Sequence, residues 1–265
     1  MQGAIRSSRQ ACLLLFVTII LVLSAQAATF SNATLQGSYT FLGTRWTADV
    51  NEPQGGVIGV MTFDGVGNMT ESYTGMVNGS LTSGTFTGTY TVNPDGTGTL
   101  TFSSGWEWAI VVNSVSAKIA HGIQLLPLTD LLPNEVGTST ALLQSSTAKT
   151  YTLANLKGSY SFQTNEWTAD PSQPIYAGNG LLTFDGKGNV KGSSSYMESG
   201  ETVQTETFTG TYTVNSDGIG TISLSTGTQY AFVLNTATGA VANGLQIVQT
   251  NTTGNIAICG IALRL

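Results

Sequence analysis

The sequence predicts an all-β protein: two tandem antiparallel up-and-down β-barrels of about eight strands each, preceded by a signal peptide. Three observations predict it. First, FTGTYTVNPDGTGTL (Phe86 to Leu100) returns as FTGTYTVNSDGIGTI (Phe208 to Ile222), so the chain is duplicated. Second, both copies alternate an apolar series (Phe86, Gly88, Tyr90, Val92; Phe208, Gly210, Tyr212, Val214) with unbroken threonine. A period of two gives one greasy and one hydroxyl face, the pattern of a half-buried strand. Third, Asp95-Gly96 and Asp217-Gly218 follow these strands, and Asp-Gly supplies the positive φ that a tight hairpin requires.

At the N-terminus a short basic region (Arg6, Arg9) precedes an apolar run from Leu13 to Leu23 and a small-residue stretch through Ala25 and Ala27. That run is short for a bilayer span and fits a secretory signal over residues 1–27, with cleavage before Ala28. A secreted, periplasmic or cell-surface location is expected, without a membrane span after cleavage. Cleavage leaves seven basic against fifteen acidic residues, a formal charge of −8. Acidity without a basic cluster makes nucleic acid and anionic membranes poor partners. Only Cys259 remains, so no intrachain disulfide can form, and Ile258 and Ile261 beside it suit a buried thiol acting as a small apolar residue.

In chain order, ATLQGSYTF (Ala33 to Phe41) matches ANLKGSYSF (Ala154 to Phe162) at an offset of 121. Trp46-Thr47-Ala48-Asp49 answers to Trp167-Thr168-Ala169-Asp170, and TFDGVGN (Thr62 to Asn68) to TFDGKGN (Thr183 to Asn189). One residue is gained near Glu201 to Glu206, so Phe86 meets Phe208 at an offset of 122. The first barrel is placed at 28–144, a polar linker at 145–153 and the second barrel at 154–265. Each copy, about 110 residues, is large enough for its own core.

In copy two the strands are placed at Gly158 to Gln163, Gly178 to Asp185, Val190 to Met197, Thr205 to Asn215, Gly220 to Ser225, Gln229 to Asn235, Ala240 to Thr250 and Ile256 to Leu265. Short turns throughout and no helical period argue for a meander. A long meander leaves two bare edges unless its first and last strands pair, which favours closure. The alternative is a pair of two-sheet sandwiches, which would need long Greek-key connections.

LxGxY (Leu35, Gly37, Tyr39; Leu156, Gly158, Tyr160), the TFDGxGN hairpin and the GTYTVNxDGxGT hairpin together resemble the small β-barrel repeat domains of secreted bacterial proteins of unknown function. In outline these are similar to allene oxide cyclase-like and lipocalin-like barrels, although the lipocalin pattern carries Trp where Tyr39 and Tyr160 stand. The resemblance implies architecture, and an activity does not follow from architecture.

The repeated Asp64, Asp185, Asp95 and Asp217 stand in turn sequences. They lack the alternating carboxylates and the closing Glu of a calcium loop, so they read as turn caps. One histidine and one cysteine in the mature chain cannot build a His/Cys metal site; no metal and no cofactor is expected. Trp46 and Trp167, each followed by Thr-Ala-Asp, fall where the first strand enters a long loop. There they and Asp49 or Asp170 could stack on a ligand at a barrel mouth, or Trp could plug the core. His121 shares its pleat face with Ile119, Ile123 and Leu125 and is expected inside. Trp106 and Trp108 occur in copy one only, so if one copy has diverged toward a partner, copy one is the one expected.

The reading is a non-catalytic binding or adhesion module for a small apolar molecule or a glycan. The alternative is a cyclase- or isomerase-like enzyme in which Tyr39, Tyr90 and His121 converge on one cavity, or else a structural spacer. Open interior volume would keep the ligand readings, and a solid core would remove them.

Overall fold

A computed structural model describes residues 29–47, 55–77, 79–116, 118–129, 135–145, 149–168, 175–235, 237–238, 241–252 and 256–265. Copy one forms β1 (Gln36–Thr47), β2 (Gly55–Asp64), β3 (Asn68–Val77), β4 (Ser80–Val92), β5 (Thr97–Phe102), β6 (Glu107–Ser116), β7 (Ile119–Pro127) and β8 (Glu135–Ser145). Each strand pairs antiparallel with the next, and β1 pairs with β8, so the sheet closes into an up-and-down barrel. Closure leaves no free edge, which is why the sandwich alternative fails.

Copy two repeats the pattern with β9 (Lys157–Thr168), β10 (Tyr176–Asp185), β11 (Asn189–Glu198), β12 (Gln204–Val214), β13 (Ile219–Leu224) and β14 (Gln229–Leu234). A two-residue hairpin, β15 (Ala237–Thr238) with β16 (Val241–Ala242), then precedes β17 (Gly244–Gln249) and β18 (Ile256–Arg264), which pairs back to β9. The expected seventh strand, Ala240 to Thr250, is present as β16 and β17 with a break at Asn243, and β15–β16 continues the β14–β17 register at the hairpin tip. Among the described residues no helix is long and apolar enough to cross a membrane.

The hairpin turns follow the sequence signals. Gly96 and Gly218 sit at φ +88° and +90°, which a side chain disfavours. Asp64 Oδ1 accepts the backbone N–H groups of Val66, Gly67 and Asn68 at 2.8, 3.0 and 2.9 Å, and Asp185 Oδ1 accepts those of Lys187 and Asn189 at 2.7 and 3.0 Å. The Asn189 side-chain amide first, and then these backbone donors, hold the Asp185 carboxyl down at about 2, and the backbone donors hold Asp64 there as well. Both carboxylates cap their own turns.

One closed end per barrel is built from the repeated tyrosines. Tyr39, Phe63 and Tyr90 pack edge-to-face with centroids 5.5 and 5.0 Å apart, and Tyr160, Phe184 and Tyr212 do the same at 5.5 and 5.1 Å. The Tyr39 hydroxyl donates to the Ala120 carbonyl at 2.9 Å and that of Tyr160 to Ala242 at 2.8 Å. Tyr90 donates to Leu35 and Tyr212 to Leu156, each at 2.9 Å, tying the short 3-10 turns Asn32–Thr34 and Leu153–Asn155 across the barrel bottom. Phe30 and Tyr151 pack onto these ends, so each repeat begins a few residues before its first strand, inside what reads as linker in copy two.

The barrels pack on each other through outward-facing residues. Ile58 and Val60 of β2 meet Ala231 and Val233 of β14, Val248 of β17 and Cys259 of β18 in a third apolar cluster. Thr40 Oγ1 donates to Asn235 Oδ1 at 3.0 Å, and Gln144 Nε2 donates to the Leu234 carbonyl at 2.9 Å across the join. A Cβ on Gly56 would collide with Cys259 Sγ, so glycine is what lets the thiol in. Burial pushes that thiol up to about 12, as suits an inert apolar role.

Candidate functional site

Above its closed end, each barrel keeps an unfilled interior, and the two interiors differ. In barrel one the cavity is about 210 Å³, bounded by Phe41, Tyr73, Phe86, Trp106 and Trp108, with Glu71 and Arg45 in the wall. Tyr73 stacks on Phe86 (5.5 Å between centroids, 4° between planes), Phe86 abuts Trp106 at 5.3 Å, and Phe102 abuts Trp108 at 5.3 Å. Two polar atoms in this wall are buried without a partner: the Trp108 Nε1 donor and the Glu71 Oε2 acceptor. Burial pushes the Glu71 carboxyl up to about 8, so at neutral pH it is held largely protonated.

In barrel two the cavity is about 540 Å³. The enlargement follows from substitutions at equivalent pleat positions: Tyr73 becomes Ser194, Trp106 becomes Thr228, Trp108 becomes Tyr230 and Phe102 becomes Leu224. The charge changes as well. Arg45 is replaced by Glu166 and Gly84 by Glu206, and both glutamates line the cavity. Ser194 Oγ donates to Glu206 Oε1 at 3.1 Å. Glu166 is 4% exposed and its Oε1 has no partner. Burial first, and then the neighbouring Glu198 carboxylate, push Glu166 up to about 7.

No family model and no curated protein matches the chain. Among solved structures it is similar to a protein of unknown function from the DUF3598 family of Nostoc punctiforme PCC 73102, at TM-score 0.27 and 13% identity, covering 88% of this chain and 98% of that one. A structure of CghA aligns at TM-score 0.26 and 9% identity, over 89% of this chain and 93% of that one. A porin-like protein from Bacteroides uniformis ATCC 8492 aligns at TM-score 0.22 and 9% identity, over 89% and 98%. Likeness this distant carries no argument about function, which therefore stands on the two cavities.

The residues singled out by sequence divide sharply. Tyr39 and Tyr90 are buried at the closed end of barrel one, where their hydroxyls bond backbone carbonyls, and neither lines the cavity. His121 is exposed, contrary to the expected interior position, because it lies at the end of β7 where the barrel closes and the strand's alternation no longer sorts inside from outside. The three do not converge. Trp46 is no mouth plug: it faces outward into the groove between the barrels, beside Leu42 and Thr44 and opposite Asn165 and Ile261 of barrel two. The side chain of Trp167, and Asp49 and Asp170, lie outside the described residues.

The interior acids escaped the sequence reading, yet parity marks them. Glu71 is two residues from both Met69 and Tyr73, Glu206 is two from Phe208, and Glu166 is four from Phe162, all on the inward face. Glu166 immediately precedes Trp167 in the motif already under suspicion. Moving one residue along a strand exchanges the faces.

Proposed function

We propose that this chain is a secreted, non-catalytic binding protein whose first barrel holds a small apolar ligand built on a single aromatic ring. The observation that carries this is the aromatic cavity of barrel one, where an unpaired donor and an unpaired acceptor share one apolar wall. A cavity of about 150 Å³ lined by apolar side chains accepts benzene, so about 210 Å³ leaves room for a substituted ring. Buried polar groups without partners are uncommon and costly. A hydroxyl on the ligand satisfies both, accepting from Trp108 Nε1 and donating to, or accepting from, the Glu71 carboxyl. Trp106 and Trp108 have no aromatic pair at the same places in copy two, which supports specialisation of copy one. The cyclase-like arrangement has no support from geometry, since Tyr39, Tyr90 and His121 lie apart from the cavity.

The test uses p-cresol with toluene as its hydroxyl-free counterpart, on protein carrying 5-fluorotryptophan. Fluorine resonances of Trp106 and Trp108 are expected to shift on titration while that of Trp46 does not. Trp108→Phe should weaken p-cresol roughly 5- to 10-fold, the size of one hydrogen bond, and leave toluene unchanged. If millimolar p-cresol moves neither resonance, the barrel one reading fails.

A further inference from the structure

The interior of barrel two differs from that of barrel one in size, polarity and charge, and the difference is systematic. Among the described residues lining it are two carboxyl groups, Glu166 and Glu206, and no lysine, arginine or histidine. Its walls add Tyr176, Tyr196 and Tyr230, with Phe162 and Phe208 deeper in. From these observations we infer that barrel two is a second binding site, chemically distinct from the first, and that it takes an organic ammonium cation: an amine attached to an apolar or aromatic body.

Three physical arguments lead there. A carboxylate withdrawn from water needs a partner, and Glu166 Oε1 has none in a wall where it is almost completely buried. An ammonium supplies donors and opposite charge together, which a neutral sugar or lipid cannot. Tyrosine faces attract a cation through the ring quadrupole, so walls rich in Tyr beside acids favour a positively charged guest over an anionic one. A space of about 540 Å³ falls in the usual range for small-molecule sites.

The groups around each acid fix the expected pH behaviour. Glu166 faces Glu198 and Tyr176, with Tyr196 beside Tyr176, and Glu206 faces Ser194 and Tyr230. Burial, and then Glu198, favour a proton on Glu166 near neutrality; an arriving cation favours the ionised form and expels that proton. Amine affinity therefore rises between pH 6 and pH 8, with proton release.

The experiment is calorimetric titration of the full chain with phenethylamine, its neutral counterpart 2-phenylethanol and the anion phenylacetate. The expected order is phenethylamine at least tenfold tighter than the alcohol, with phenylacetate showing no binding. Repeating the amine titration at pH 7 in buffers of different ionisation enthalpy should reveal proton release. Glu166→Gln and Glu206→Gln, checked for folding by circular dichroism and melting, should each lower amine affinity about tenfold while leaving the alcohol unchanged, and Glu166→Gln should abolish the proton release. Equal affinity for amine and alcohol, an amine preference that survives both variants, or no heat from phenethylamine at 10 mM would each overturn the inference. The barrel one reading depends on Trp106 and Trp108 and stands or falls separately.

Discussion

Glu71 shows how one side chain can read as ordinary in sequence and exceptional in the fold. Flanked by Thr70 and Ser72 it looks like strand polarity, but its pleat face is that of Met69, and it ends 7% exposed inside barrel one. Its carboxyl is raised from 4.5 to about 8 by burial. The sign follows: below about 4.5 folded and unfolded chains both hold the proton, whereas above it the unfolded chain releases the proton and the folded one retains it. Stability is therefore lost as pH rises from about 4.5 to about 8, at up to about 1.4 kcal/mol per unit. Glu71→Gln should flatten that decline, melting several degrees above the parent at pH 8 and close to it at pH 4. An identical gap at both pH values would show that the carboxyl is not desolvated.

The strand-turn-strand units behave in the opposite sense. Asp64 and Asp185 each fold their turn by accepting a following Asn side-chain amide and backbone N–H groups of the turn, which lowers their proton affinity rather than raising it. The stability these turns confer is complete above the unfolded value of 3.8 and is lost as pH falls through about 2. Asp64→Ala and Asp185→Ala should each lower the melting temperature by roughly a few degrees at pH 7 and by much less near pH 2, in thermal melts followed by circular dichroism. Equal losses at both pH values would mean that the backbone bonds of the turn, and not the carboxylate, carry its stability. The elements were largely legible because Asp-Gly, threonine alternation and glycine at positive φ are local rules. The exception is the break at Asn243, which divides the expected seventh strand into β16 and β17 without changing its register against the preceding strand.

At the scale of the whole molecule the duplication is not matched by symmetry. Barrel one contributes β2 with the adjoining β1 and β8 to the join and barrel two β14, β17 and β18, so equivalent residues meet different fates: Val233 is fully buried at the join while Val111, its counterpart, is 48% exposed. Ile58 and Val60 of the join become Asn179 and Leu181 on β10, where both are exposed. Because each barrel also has its own core, the join should couple two units that can melt separately. Val233→Asp buries an unpaired charge there. It should turn a single calorimetric transition into two, with the p-cresol response of Trp106 and Trp108 retained; an unaltered single transition would show that the barrels do not rely on this cluster.

By itself the sequence determined the all-β class, the two copies, the turns and which residues of most strands share a face, since pleat alternation and turn conformation are properties of neighbouring residues. The tertiary structure decided the rest. Whether the tyrosines closed an end or lined a cavity, whether Trp46 faced a mouth or a neighbouring barrel, and that Glu71, Glu166 and Glu206 face open interior space all depend on where strands far apart in the chain curl together. Cavity volume is what remains after side chains from all eight strands have claimed their room, and no single stretch of sequence contains that difference.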